Sequence, residues 1–504
     1  MSDERSRDVA VASLQSISRG ALVFIIGRIV LDALQFLLTL VLTRALTSTM
    51  YGVFAYANTL IAIALVFTNL GSTNSILKYV PQYEDDERKQ RFMLGLAYAT
   101  SFVASFVVAA GLYLTAPVVT RYTLGDPLLV DVLRLFAIVL VFDTMVQIVA
   151  GTFRSLERLE YSVFLLQFLK PVSRLLGVGL ALLLGLSFYG VMAALVVASV
   201  VVFLVGIYFL LTRLSLRPSI GRSAGSASDV REYYNLSIPL VLKDTGAIFR
   251  SRIDVLMVGF FLTSTAVGIY NVTLIVAAML SLPLAAFNQL FPPVASRLYS
   301  NGNLEELNRV FSIVTRWTLT SSLFLGLVAA LYRTEILALF GPEFTAGAAV
   351  LAFFVASQLL NNAVGPSGYL LMISGHQYVL LANQWVFGVC NVVLNYYFIL
   401  EYGLIGAALA TATIGALNNV ARLLEIWYLE GLYPYTRGFL KPLAAGAGAG
   451  LTMYGLHFPL SGIPLLAAGI VVGLVTYGGL IWLLGIERAD REFFGAAIGI
   501  RALR

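Results

Sequence analysis

Long apolar runs alternate with short polar breaks along this chain. About fourteen runs reach about 20 residues, enough to cross a roughly 30 Å hydrocarbon core as helices. They lie near 20–43, 52–77, 92–116, 130–153, 161–185, 188–212 and 235–261. The others lie near 266–291, 310–332, 346–373, 377–400, 402–428, 439–457 and 463–485. A transmembrane β-barrel would carry short segments of alternating polarity instead. The pattern therefore predicts an all-α integral membrane protein. Residues 1–19 are polar and charged, and the first apolar run is too long for a signal-peptide core and lacks a cleavage site, so it is expected to remain.

The pattern also repeats. Leu46-Thr47-Ser48-Thr49 with Gly52 returns 216 residues later as Leu262-Thr263-Ser264-Thr265 with Gly268. At the same spacing, Leu124-Gly125-Asp126-Pro127 aligns with Phe340-Gly341-Pro342-Glu343, and Gly190 with Gly406. Anchors in fixed register predict two six-helix bundles, 20–212 and 235–428. An even number of spans gives both halves the same orientation, so they are parallel repeats with a cavity expected between them. The segment 213–234, rich in Ser, Gly and Arg, reads as a cytoplasmic linker. Residues 429–504 add a helix pair and a tail outside the duplication.

Composition agrees. At 504 residues, 59% hydrophobic and only 12% charged, the chain is excluded from the soluble globular class. Its formal charge of +6 follows topology. With the N-terminus in the cytoplasm, one side collects Arg5, Arg7, Arg88, Lys89, Arg91, Arg213, Arg217, Arg488 and Arg491 among others, and the other side only Arg44, Arg121 and Arg333. The positive-inside rule then places both termini in the cytoplasm of a multi-pass cell-membrane protein. Basic residues without an aromatic-basic binding segment do not suggest nucleic acid. Cys390 is the one cysteine, and His376 and His457 stand far apart, so neither a disulfide nor a metal is expected, and no cofactor. Walker and HExxH motifs are absent, which argues against an enzyme.

Charges inside the apolar runs are the candidate chemistry. Each costs about 2.5–3.5 kcal/mol on insertion scales and usually faces a cavity. Arg28, Asp32, Gln35 and Thr39 fall on one helical face, and Lys243, Ala247, Arg250 and Asp254 repeat those offsets, with Arg252 nearby. Lys170 and Arg174 stand one turn apart around Pro171, and Asp143 lies in the preceding span. One reading makes Arg28, Lys170, Arg174, Arg250 and Arg252 a cationic pocket for a phosphate head group, because the guanidinium fork bonds phosphate bidentately. The other makes Arg28–Asp32 and Arg250–Asp254 mutually neutralising i,i+4 pairs. Asp32, Asp143, Asp254 and Lys243 then balance charge or couple transport to an ion. The amides Asn361, Asn362, Asn383, Asn391, Asn395, Asn418 and Asn419 read as interhelical hydrogen-bonding groups.

Several segments resemble the polysaccharide-type, Wzx-like oligosaccharide flippases of the MOP transporter superfamily. Leu42-Thr43-Arg44-Ala45-Leu46 through Tyr51-Gly52-Val53-Phe54, then Asn69-Leu70-Gly71 to Lys78-Tyr79-Val80, looks like that family's first helical hairpin. Ile336 to Phe344 and Ile405 to Thr411 resemble two of its later connections. The resemblance implies a monomer that moves a polyprenyl-(pyro)phosphate-linked oligosaccharide from the cytoplasmic to the outer leaflet by alternating access, in cell-surface polysaccharide or glycoprotein glycan synthesis. It also implies membrane lipids, glycosyltransferases and a downstream polymerase or ligase as partners. A cation-coupled multidrug exporter of the same superfamily is the main alternative, and a membrane polysaccharide polymerase or ligase the enzyme-class alternative.

Overall fold

A computed structural model describes residues 27, 30–214, 216–220 and 225–485, apart from the side chains of residues 242, 243 and 247–251. The described chain is helical throughout, and ten of its helices are long and apolar enough to cross a membrane. It is an all-α, multi-pass membrane protein. Backbone polar groups that cannot meet water in hydrocarbon are paired inside each helix, so each apolar segment satisfies its own hydrogen bonds. Two compact units divide at Asn271 and Val272.

The first unit contains α1 (30–45), α2 (Ser48–Asn69), α3 (Ser72–Gln82), α4 (Glu87–Tyr122) and α5 (Leu128–Ser155). It continues through α6 (Leu159–Val163), a π-helical turn (Phe164–Leu169), α7 (Lys170–Leu183), α8 (Phe188–Arg213) and α9 (Ala227–Phe261), and ends inside α10 (Ser264–Ala278). α5 is its hub, packed against α2, α3, α4 and α8, with 67% of its most apolar stretch buried. On the outer helices the apolar side chains face outward: Phe102, Val103, Phe106 and Leu114 of α4 are all exposed, as a lipid-facing surface requires.

The repeated motif has a structural reason. Its two copies meet each other inside this unit. Thr47 caps α2 by accepting from the Met50 N–H at 3.2 Å, and Thr263 caps α10 through Ala266 at 3.2 Å. Thr49 and Thr265 hydrogen-bond at 2.9 Å, and the Tyr51 hydroxyl donates to Asn271 at 2.8 Å. The glycines let the backbones touch: a methyl group on Gly52 would overlap the Ser264 carbonyl, and one on Gly268 would press on that of Ser48. Ser264 also donates to Asp126 at 3.0 Å. Asp126 belongs to the motif whose second copy reads Pro342-Glu343, so the sequence asymmetry falls where the first copy has taken on a contact.

The described residues of segment 213–234 are held down. The Ser219 N–H donates to the Arg91 carbonyl at 2.9 Å, and Leu214 and Leu216 are buried. A capping box of Ser226 and Asp229 starts α9, and Lys89 of α4 pairs with Asp229 at 3.2 Å. The Ser226 hydroxyl, then its N–H, then Lys89 hold the Asp229 carboxyl below the usual carboxylate range, against a smaller desolvation effect.

The second unit contains α11 (Leu282–Ser300), α12 (Leu304–Leu331), α13 (Arg333–Ala338), α14 (Ala348–Val364), α15 (Ser367–Ile373), α16 (Gln377–Glu430), α17 (Leu440–Gly455) and α18 (Gly462–Leu483). Its core gathers Phe291, Leu307, Phe311, Leu370 and Ile426. Two tyrosines tie the terminal pair to α12: Tyr332 donates to the Met453 carbonyl at 2.9 Å, and Tyr477 to that of Thr320 at 2.8 Å. α16 is 54 residues long but turns back on itself at Gly403, whose φ of 57° suits glycine. Contacts of His376 with Glu430 and of Asn383 with Glu425 show that its halves run antiparallel, as a hairpin.

Candidate functional site

Lys170 owes its position to its neighbour. Pro171 has no N–H and its ring presses on the carbonyl four residues back, so a regular α-turn is disfavoured there. The chain widens into a π-turn over Phe164–Leu169, and the Lys170 N–H bonds Leu165, five residues back. Such turns recur at functional sites because they re-aim side chains. Lys170 and Arg174, four residues apart, then point the same way.

They point at Asp143. One carboxylate oxygen, Oδ2, accepts from Lys170 Nζ at 2.8 Å and from Arg174 Nη2 at 3.0 Å. The Asp143 side chain is only 3% exposed, whereas the cations are 20% and 21% exposed, so the cluster presents its positive side to the open surface. Among the described residues, two cations against one carboxylate leave a net positive charge, and Arg174 keeps a buried Nε–H with no hydrogen-bond partner among them. Both features are costly without an anion to receive them. The sequence shows no acidic partner within the helix of Lys170 and Arg174; the structure supplies one from the hub helix α5.

Polar contacts continue from this cluster. One turn along α5, Gln147 accepts from Asn69 at 3.3 Å, and Asn69 also donates to Thr73 at 2.8 Å. Thr144 bonds Thr68 at 2.7 Å. Asn69 and Thr68 were not among the sequence candidates, because single polar residues in an apolar run carry no partner information.

Of the other candidates, Arg28 lies outside the described residues, as do the side chains of Lys243 and Arg250. Asp32 is half-buried on α1 and Arg252 is exposed on α9. Asp254 is buried and accepts from the Tyr270 hydroxyl at 2.9 Å and from the Val255 N–H at 2.9 Å. A phenol and a peptide group thus solvate this carboxylate.

The second unit has a polar surface of its own. Arg422 donates to Asn419, to Asn361 at 3.5 Å and to the Asn418 carbonyl at 3.4 Å. Both oxygens of Glu425 accept from Asn383 Nδ2, at 2.9 and 2.8 Å. Asn362 donates to the Leu280 carbonyl at 2.7 Å, and Asn395 to Asn391. Asn361, Asn362 and Asn383 hydrogen-bond between helices or helix halves, as the sequence suggests, whereas Asn391, Asn395, Asn418 and Asn419 bond within their own helix, and several of the amides surround charges. The spacing of Asn418, Arg422 and Glu425, offsets 0, 4 and 7, was the available signal.

Residues 17–299 match the family described as "Polysaccharide biosynthesis protein". The chain belongs to that family. The match spans the Asp143 cluster and the repeated junction. Among its relatives, the probable low-salt glycan biosynthesis flippase Agl15 of Haloferax volcanii is 25% identical over 80% of this chain and 82% of its own. The probable flippase AglR of the same organism is 28% identical over 48% of this chain and 52% of its own. Among solved structures, lipid II flippase MurJ in an inward closed conformation superposes with a TM-score of 0.72, covering 95% of this chain and all of that one at 13% identity. An inward-facing multidrug resistance MATE family transporter of the MOP superfamily gives 0.63 over 82% and 94%, at 12% identity. At such identities the likeness is one of fold. The resemblance to polysaccharide-type flippases of the MOP superfamily read from the sequence is borne out.

Proposed function

We propose that this family member is a flippase that carries a polyprenyl-(pyro)phosphate-linked oligosaccharide from the cytoplasmic to the outer leaflet. The observation that supports it best is the Asp143 cluster, in which two cations share one carboxylate and leave positive charge on the accessible side. A phosphate offers the charge and the oxygens that this arrangement lacks, and the Arg174 fork matches them. The lipid tail stays in the bilayer while the head group is passed by alternating access. We assign Arg28, Arg250 and Arg252 to the same substrate-binding role, Asp32 to balancing their charge and Lys243 to coupling. We place about fourteen spans in the membrane with both ends in the cytoplasm, built as two parallel six-helix repeats plus a helix pair.

Asp254 gives the exporter reading its one specific support. A buried carboxylate solvated by a tyrosine is a group that a coupling proton or cation can visit. We assign it to energy coupling within the flippase reading.

A strain lacking the gene tests the proposal. It should accumulate lipid-linked oligosaccharide facing the cytoplasm, and the wild-type gene should clear it whereas Lys170→Ala should not. Clearance by Lys170→Ala at the wild-type rate rejects the cationic site. Absence of any accumulation rejects the flippase.

A further inference from the structure

The second half of α16, residues 404–430, has two exposed faces of opposite character. Leu417, Val420, Leu424, Trp427 and Tyr428 are 50–83% exposed and form an apolar one. Asn418, Arg422 and Glu425 form the other, each half-buried. Arg422 stands eight residues from the helix end at Glu430, about 12 Å along the axis. Placing a half-exposed Arg or Glu against hydrocarbon costs about 2.5–3.5 kcal/mol apiece. The apolar face therefore meets lipid and the polar face meets water.

What this polar face offers is directional. The Asn361 side-chain amide and the Asn418 backbone carbonyl flank the Arg422 guanidinium, the half-buried Asn418 side chain lies one turn away on the same helix, and Asn383 flanks Glu425. The Glu425 carboxylate has about four lone-pair sites and receives a single amide nitrogen among the described residues. A phosphate is a poor occupant, since the Glu425 charge repels it. An apolar drug-like molecule is also poor, since its sites are lined mainly by hydrophobic side chains. A sugar ring fits: each hydroxyl both donates and accepts, and planar amides, a carboxylate and a guanidinium supply both functions side by side.

We infer that Asn361, Asn383, Asn418, Arg422 and Glu425 form a sugar-binding surface that holds the glycosyl part of the transported lipid through its ring hydroxyls. Glu425 accepts from a pair of neighbouring hydroxyls, and Arg422 donates to a ring or hydroxyl oxygen. This rests on the flippase reading above and adds to it the group that distinguishes one lipid-linked substrate from another.

Two probes separate the possibilities: a polyprenyl phosphate carrying a single glucose, and the same polyprenyl phosphate without sugar. Their binding to the purified full chain is measured for wild type, Glu425→Gln, Asn418→Ala and Lys170→Ala. Glu425→Gln is nearly isosteric and keeps an acceptor for Asn383, and Asn418→Ala is an independent second variant. Both should weaken the glucosylated probe about tenfold and leave the bare one within about twofold. Lys170→Ala should weaken both. Equal losses on both probes in Glu425→Gln and Asn418→Ala, or no loss on the glucosylated one, overturn the sugar surface while the Lys170 result upholds the flippase reading. Lys170→Ala changing neither probe rejects the cationic site alone, and a wild type that binds neither probe overturns both the sugar surface and the cationic site.

Discussion

The Asp143 cluster and the Arg422–Glu425 surface answer the same problem, charge at membrane depth, in different ways. At Asp143 two cations converge on one buried oxygen, and the imbalance is left for something else to neutralise. At Arg422 and Glu425 amides solvate each charge separately. The first arrangement is strong and selects for sign; the second is weaker per contact and selects for geometry. A carrier of charged, sugar-bearing lipids needs both.

The largest expected effect strikes the first region. Asp143→Ala removes the shared counter-charge and leaves Lys170 and Arg174 facing each other, which should lower stability by about 3–5 kcal/mol. Glu425→Ala releases only an amide and should cost about 1–3 kcal/mol. Denaturant or thermal unfolding of the purified protein measures both, and equal losses would erase the contrast.

Transport comes next. Lys170→Ala should slow flipping in proteoliposomes by about a hundredfold, worth about 2.7 kcal/mol, and Arg174→Lys should lose less because the charge stays and only the fork goes. If Asp143→Asn combined with Lys170→Gln transports at the wild-type rate, the cluster is a structural ion pair and no phosphate grip.

The repeated junction gives a smaller effect, and a control that touches neither region. Gly52→Ala forces a methyl group into the Ser264 carbonyl and should destabilise by about 2 kcal/mol, with Gly268→Ala costing similarly. Thermal unfolding of the two variants checks it, and a neutral Gly52→Ala would mean that the backbones do not touch there.

The smallest effect lies at the start of α9. Asp229 has a depressed carboxyl pKa, so its contribution is fully present above the ordinary carboxylate value and is lost as pH falls through the folded one. Asp229→Asn should cost about 1 kcal/mol at neutral pH, with the difference from wild type closing in acid. A gap that widens as pH falls would contradict the sign.

Much of this was written in the chain. Hydropathy determined the class, because a segment of that length and polarity has no other stable environment than a membrane. The repeat was legible as identity of residues at fixed spacing, and Lys170 and Arg174 stood out because cations in an apolar span must be answered by something. The sequence also marked Asp143, yet not which cation it meets.

Only the folded chain decided the pairings. Asp143 reaches Lys170 and Arg174 because Pro171 forces a wide turn that aims both at α5, a consequence of steric strain that no spacing rule records. Thr49 meets Thr265 across 216 residues, so a motif that reads as duplication is also a contact. Glu425 finds Asn383 because α16 reverses at Gly403. Local pattern governs what each segment must be, since burial and backbone satisfaction act residue by residue. Which distant groups share a charge is set by packing, and packing depends on every helix at once.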